Sequence, residues 1–187
     1  LSSPTIQAVV YNLAETPPAR VYLPLVVRNY PPAWQRVAGA GVRFYDVSIC
    51  PSNSAIQYAT ASTNGLYRST DGGTTWVPWA LVGEYGLPAQ IAADCSVYVA
   101  VWGKGVVHID EHANLTPLGP LSDEVRYVYG MVSHDNHLYI GTSHGIYKIA
   151  LAGGEAWAPV VENLRVRSLY LIDGVLYAGS ENGTLYW

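Results

Sequence analysis

The sequence is poor in charge. Only 13% of its 187 residues are Asp, Glu, Lys or Arg, and 10 Lys+Arg against 14 Asp+Glu leave a net charge of -4. Nucleic-acid binding depends on clustered Lys and Arg against phosphates, so no nucleic-acid partner is expected, and a polybasic membrane-surface role is disfavoured for the same reason. Long apolar runs are missing as well. None approaches the roughly 20 residues that a spanning helix needs, and no membrane span is expected. Met131 is the only methionine and the chain begins at Leu1. This pattern is expected of an extracellular or cell-surface protein secreted after signal-peptide removal, although a fragment would look the same. Two cysteines, Cys50 and Cys95, suit one disulfide better than a metal site, which needs a closer set.

Apolar residues, by contrast, make up half the chain, which excludes intrinsic disorder and allows a buried core. They are arranged in a repeat. QYATASTNGLYRS (57–69), VYVAVWGKGVVHI (97–109), LYIGTSHGIYKI (138–149) and LYAGSENGTLYW (176–187) align on Gly65, Gly105, Gly145 and Gly183, which lie 40, 40 and 38 residues apart. Hydrophobicity alternates with period two on either side of Asn-Gly, Lys-Gly or His-Gly, the pattern of tight antiparallel hairpins. A further run precedes each hairpin and another follows it. Units of four strands at about 40 residues predict an all-β, four-bladed β-propeller of four-stranded antiparallel blades.

The fourth unit supplies only three strands before the chain stops. AWQRVAGAGVRF (33–44) resembles AWAPVVENLRVRS (156–168), with Trp34 in the place of Trp157. Residues 33–39 are therefore expected to provide the missing outer strand, closing the ring by an N-to-C clasp. Cys50 and Cys95 fall at matching places in consecutive blades, after the innermost strand, and are expected to pair.

Residues 33–187 thus form the propeller and residues 1–32 are surplus to it. TIQAVVYNL (5–13) and RVYLPLVVRNY (20–30) nevertheless read as apolar strands, carrying Ile6, Val9, Val10, Tyr22, Leu23, Leu25, Val26 and Val27. Such residues need cover, either on the chain's own propeller or on a neighbour by strand addition. The second run also resembles segments of secreted bacterial surface proteins.

STDGGTTW (69–76) resembles the Asp-box, Ser-x-Asp-x-Gly-x-x-Trp, of the β-propeller repeat family that includes sialidase-like and sortilin-like blades. The resemblance rests on Ser69, Asp71, Gly73 and Trp76 and covers one blade directly. GGEAW (153–157) is a worn version, and EHANLT stands in its place in the second blade. It implies a structural turn between third and fourth strands at the blade periphery. A sialidase would also imply three clustered arginines and a Tyr nucleophile. Arg43, Arg126 and Arg167 recur before inner strands, as a solvent-facing rim or alternatively as an anion-binding ring.

No catalytic residue, cofactor or metal site is assigned, and the chain is not expected to be an enzyme. His108, Asp110 and His112 alternate in sequence and His134, Asp135 and His137 crowd a turn, but their spacing is unspecific. Asn114 and Asn182 open glycosylation sequons. Tyr58, Tyr98, Tyr139 and Tyr177 begin the second strand of each blade, where packing between blades is favoured over sugar binding. The functional expectation is a structural subunit of an extracellular filament or cell-surface assembly. Its partners would be copies of itself, joined through the N-terminal arm. The alternative is a glycan- or ligand-binding module, and a sialidase-like glycoside hydrolase is third.

Overall fold

The computed structural model describes residues 5–10, 21–26, 42–120, 122–152 and 156–187. It divides into two compact units, Leu1–Arg36 and Val37–Trp187. In the first unit, β1 (Thr5–Val10) and β2 (Val21–Val26) pair antiparallel, with Ile6 opposite Leu25 and Val9 opposite Tyr22. The two apolar runs of the arm are therefore partners of each other along their described backbone. Val27 lies outside the described residues.

The second unit is a succession of antiparallel sheets, with no helix among the described residues. The first blade holds β3 (Phe44–Ile49), β4 (Gln57–Ala61), β5 (Gly65–Ser69) and β6 (Val77–Ala80). The second holds β7 (Gly86–Ile91), β8 (Val97–Val101), β9 (Gly105–Ile109) and β10 (Leu115–Pro117). The third holds β11 (Val128–His134), β12 (His137–Thr142), β13 (Gly145–Ala150) and β14 (Ala158–Glu162). The fourth contributes β15 (Val166–Ile172), β16 (Val175–Ser180) and β17 (Leu185–Tyr186). In each blade the strands hydrogen-bond in chain order. The clasp expected from residues 33–39 falls outside the described residues, as does Trp34.

Two of the repeat glycines, Gly65 and Gly145, have a steric purpose. Gly65 adopts a left-handed φ of +66°, and a Cβ there would lie 1.9 Å from the Leu81 carbonyl oxygen. At Gly145 a Cβ would meet the Val161 carbonyl oxygen at 2.0 Å. The fourth strand of a blade crosses so close to the hairpin that no side chain fits.

Blades pack face to face through their alternating residues. One core cluster joins the first two blades through Tyr58, Leu66, Ala89, Ile91 and Val99. A second joins blades two and three through Tyr98, Val106, Met131 and Ile140, and a third joins three and four through Ile146, Val166 and Leu169. Strand register makes Val47, Ala89, Met131 and Leu169 equivalent, since they stand opposite Ala59, Val99, Ile140 and Ala178. In blades two to four this residue packs back on the preceding blade and is 9%, 7% and 5% exposed, whereas Val47 in the first blade is 58% exposed.

Cys50 and Cys95 form a disulfide with Cα atoms 5.2 Å apart, joining the turns that follow β3 and β7. In the chain-entropy model a 45-residue loop is stabilised by about 4 kcal/mol. Replacing Cys50→Ser together with Cys95→Ser should lower the melting temperature by roughly 10 °C for a domain of this size. Thermal unfolding followed by circular dichroism tests this, and an unchanged midpoint would refute it.

Candidate functional site

The inner strands β3, β7, β11 and β15 bound a central cavity of about 580 Å³. Asp46, Gln90, Tyr129, Arg167 and Ser168 supply its polar lining, alongside Pro88, Met131 and Leu169. Asp46 is fixed because its carboxylate accepts the Ala89 backbone N–H at 2.9 Å, bridging the first two blades. Ser48 donates to the Ala89 carbonyl at 3.1 Å beside it.

At the mouth of this cavity runs a line of aromatic rings. Tyr45 at the start of β3 lies 5.3 Å from Tyr85, which precedes β7, and their hydroxyls hydrogen-bond. That bond raises the Tyr85 pKa above the ordinary phenol value. Tyr85 lies 6.1 Å from Trp102 in the β8–β9 turn, and Trp102 lies 4.6 Å from Tyr127 and 6.2 Å from Tyr129. The Arg167 guanidinium then stands 4.4 Å from the Tyr129 ring centroid and is held by Glu181 at 2.7 Å. This pairing lowers the Glu181 pKa. Tyr45, Tyr85 and Trp102 are exposed, and Tyr127 and Tyr129 are half-buried.

The residues singled out from the sequence occupy different places. Tyr58 and Tyr98 are buried between blades, Tyr58 donating to the Cys95 carbonyl at 3.1 Å and Tyr98 stacking on His108 at 4.8 Å. Tyr139 packs against the cluster joining blades three and four, while Tyr177 is half-buried on the outermost blade. His108 ends up inside β9, whereas Asp110 and His112 lie beyond its end, so the three do not share one strand. Asp110 instead caps the turn, accepting the N–H groups of His112 and Asn114 at 2.9 Å each. Both sequon residues are exposed, with the Asn114 amide donating to Asp110 at 2.8 Å and Asn182 in the β16–β17 turn. Arg126 pairs with Asp123 at 3.1 Å and Arg167 with Glu181, so at least two of the three rim arginines have local carboxylate partners. The aromatic line escaped the sequence reading because most of its members lie outside the aligned repeat positions. A density of aromatics in VGEYG, VWGKG and RYVYG was its only signal.

Residues 69–76 form the turn between β5 and β6, where the resemblance placed it. Ser69 Oγ accepts the Gly73 N–H at 2.9 Å, Asp71 accepts the Thr75 N–H at 2.9 Å and its hydroxyl at 2.6 Å, and Trp76 Nε1 donates to the Gly73 carbonyl at 2.9 Å. These Thr75 bonds, with Ser69, hold the Asp71 pKa down from 3.8 to about 2.

Neither a family model nor a curated protein matches the sequence. Solved structures do match. The computationally designed Ika4 protein superposes with a TM-score of 0.60 at 13% identity, over 81% of this chain and 94% of that one. An ancestral GH74 enzyme gives a TM-score of 0.60 at 20% identity over 78% of this chain and 23% of that one. The extracellular domain of a hybrid two-component system from B. thetaiotaomicron also gives 0.60, at 14% identity over 88% and 26%. The fold is a β-propeller. This chain spans about a quarter of the length of the enzyme and of the extracellular domain. Identities this low speak to the fold alone, and none carries catalytic residues across.

Because Asp71 is depressed in the folded protein, its contribution to stability is full above the unfolded value near 3.9 and is lost as pH falls through about 2. Asp71→Asn should therefore melt below the wild type at pH 7, and the difference should shrink between pH 4 and 2. Melting curves across that range test it, and a gap independent of pH would refute the assignment.

Proposed function

We propose that this chain is a secreted structural subunit whose propellers associate with copies of themselves in an extracellular or cell-surface assembly. The observation that carries the reading is the state of the two end faces. Val47 and Ile49, on the face of the first blade that turns towards the fourth, are 58% and 55% exposed. On the opposite face of the fourth blade, Tyr170 and Ile172 are 63% and 57% exposed. Equivalent positions at the three internal junctions are buried or half-buried. Both faces belong to the junction between the fourth and first blades, which the described residues leave uncovered. The two are complementary by repeat, one being the leading and the other the trailing side of the same junction.

A head-to-tail contact between such faces is heterologous. It closes into a ring or continues as a filament, depending on the rotation between copies. The β1–β2 ribbon supports the same reading, because a two-stranded hairpin is marginal in isolation and offers free edges for strand addition. The disulfide and the likeness to an extracellular domain fit an oxidising compartment outside the cell. We read the role as non-catalytic.

Light scattering coupled to size exclusion should find the wild type as a dimer or larger species over micromolar concentrations. Val47→Asp with Ile172→Asp places charge in both faces and should raise the dissociation constant by about a hundredfold or more, leaving a folded monomer. Deleting residues 1–32 separates the connectors, since loss of assembly on deletion assigns the joint to the arm. A wild type that is monomeric throughout overturns the proposal.

A further inference from the structure

We propose that the aromatic line at the cavity mouth is a binding site for a neutral glycan chain, independent of self-assembly. Tyr45, Tyr85, Trp102, Tyr127 and Tyr129 come from three different blades, yet consecutive rings are only 4.6 to 6.2 Å apart. None of the three exposed members is needed to fill the junction cores, which are built from Tyr58, Tyr98, Met131, Leu169 and their neighbours. Apolar ring surface left in water in a continuous strip is the signature of a contact surface, whereas isolated exposed aromatics are ordinary. Its members are also held in place. Tyr45 and Tyr85 are tied through their hydroxyls, Trp102 sits on the tight β8–β9 turn before Gly103 at φ +72°, and Tyr129 is backed by Arg167. A rigid aromatic surface loses little side-chain entropy when a ligand settles on it.

The ligand class follows from the fringe. The apolar C–H faces of pyranose rings stack on Tyr and Trp, and the ring spacing along the strip is close to the length of one sugar unit. Around the strip stand acceptors and donors together: Asp46 and Glu84 as carboxylates, Gln90 as an amide, and Lys104 and Arg167 as cations. Glu84 pairs with Lys104, Arg167 with Glu181, and Asp46 accepts the Ala89 N–H. Sugar hydroxyls, which both donate and accept, can bond the remaining lone pairs and N–H groups without breaking these pairs. A Pro-rich peptide, which also stacks on aromatic grooves, offers carbonyl acceptors but few donors, and so matches fewer of these groups. The mixed signs favour a neutral chain over an acidic one.

The test uses the full chain with four probes, cello-, manno-, xylo- and malto-hexaose, read by isothermal titration calorimetry and by tryptophan fluorescence. At least one hexaose is expected to bind and to perturb the fluorescence. Trp102→Ala and, separately, Tyr85→Ala should weaken that binding by about tenfold or more. Trp187→Ala changes a residue that is 85% exposed and lies outside the strip, and should bind as the wild type does. Circular dichroism melts confirm that each variant is folded, and having two independent strip variants keeps the test decisive if one is not. Failure of all four hexaoses at millimolar concentration overturns the proposal. So does undiminished binding by both strip variants, or binding of decaproline in place of the hexaoses. Because binding is measured on the wild type and on the Val47→Asp, Ile172→Asp variant alike, failure here is distinguishable from failure of self-assembly.

Discussion

Everything in this propeller depends on one sheet lying against the next. A four-stranded sheet of five-residue strands has two apolar faces and no helix to cover either, so it is stable only as a layer in a stack. The chain meets that requirement three times with the same geometry. A residue on the inner strand of one blade enters the preceding blade while a tyrosine on the second strand reaches toward the following one, and Tyr58 spans the gap far enough to bond a backbone carbonyl of its neighbour. The same constraint makes Gly65 and Gly145 obligatory, because the outer strand passes within van der Waals reach of those two turns. It also bears on the junction between the fourth and first blades, where Val47 and Tyr170 stay exposed among the described residues.

How much of this is readable beforehand depends on whether a feature repeats. The hairpins, their glycines, the four-strand unit and the disulfide all recur or sit at matching offsets, and period-two hydrophobicity reports them because one face of every strand is buried. Features that arise from convergence of unlike positions leave no such trace. Trp102 lies in a hairpin turn, Tyr85 in a connection between blades and Tyr129 on an inner strand, and only the ring geometry brings them into one line. His108, Asp110 and His112 show the opposite failure. Their alternation in sequence suggests one shared face, but β9 ends at Ile109 and Asp110 is consumed by its own turn.

The two acidic turns are one device in two spellings. Asp71 gathers a backbone N–H and a hydroxyl from Thr75, and Asp110 gathers backbone N–H groups and a side-chain amide from His112 and Asn114. Both carboxylates do locally what the longer strand ladders do elsewhere, satisfying polar groups where a strand ends. STDGGTTW matches a familiar pattern and DEHANLT does not, although the physical solution is the same. Resemblance by motif therefore counts fewer such turns than the chain contains.

The disulfide and the tyrosine pair sit at opposite ends of β3. Cys50 follows its last residue and ties the far end to the second blade, while Tyr45 near its first residue ties the mouth to Tyr85 of the same blade. The first two blades are thus fastened at both edges of their shared junction, like a hinge with both pins driven. The described junctions that follow are held by packing and weak bonds. Under mechanical load this makes the propeller asymmetric: tension would open the carboxyl-terminal blades first and leave the amino-terminal pair as a covalently locked block.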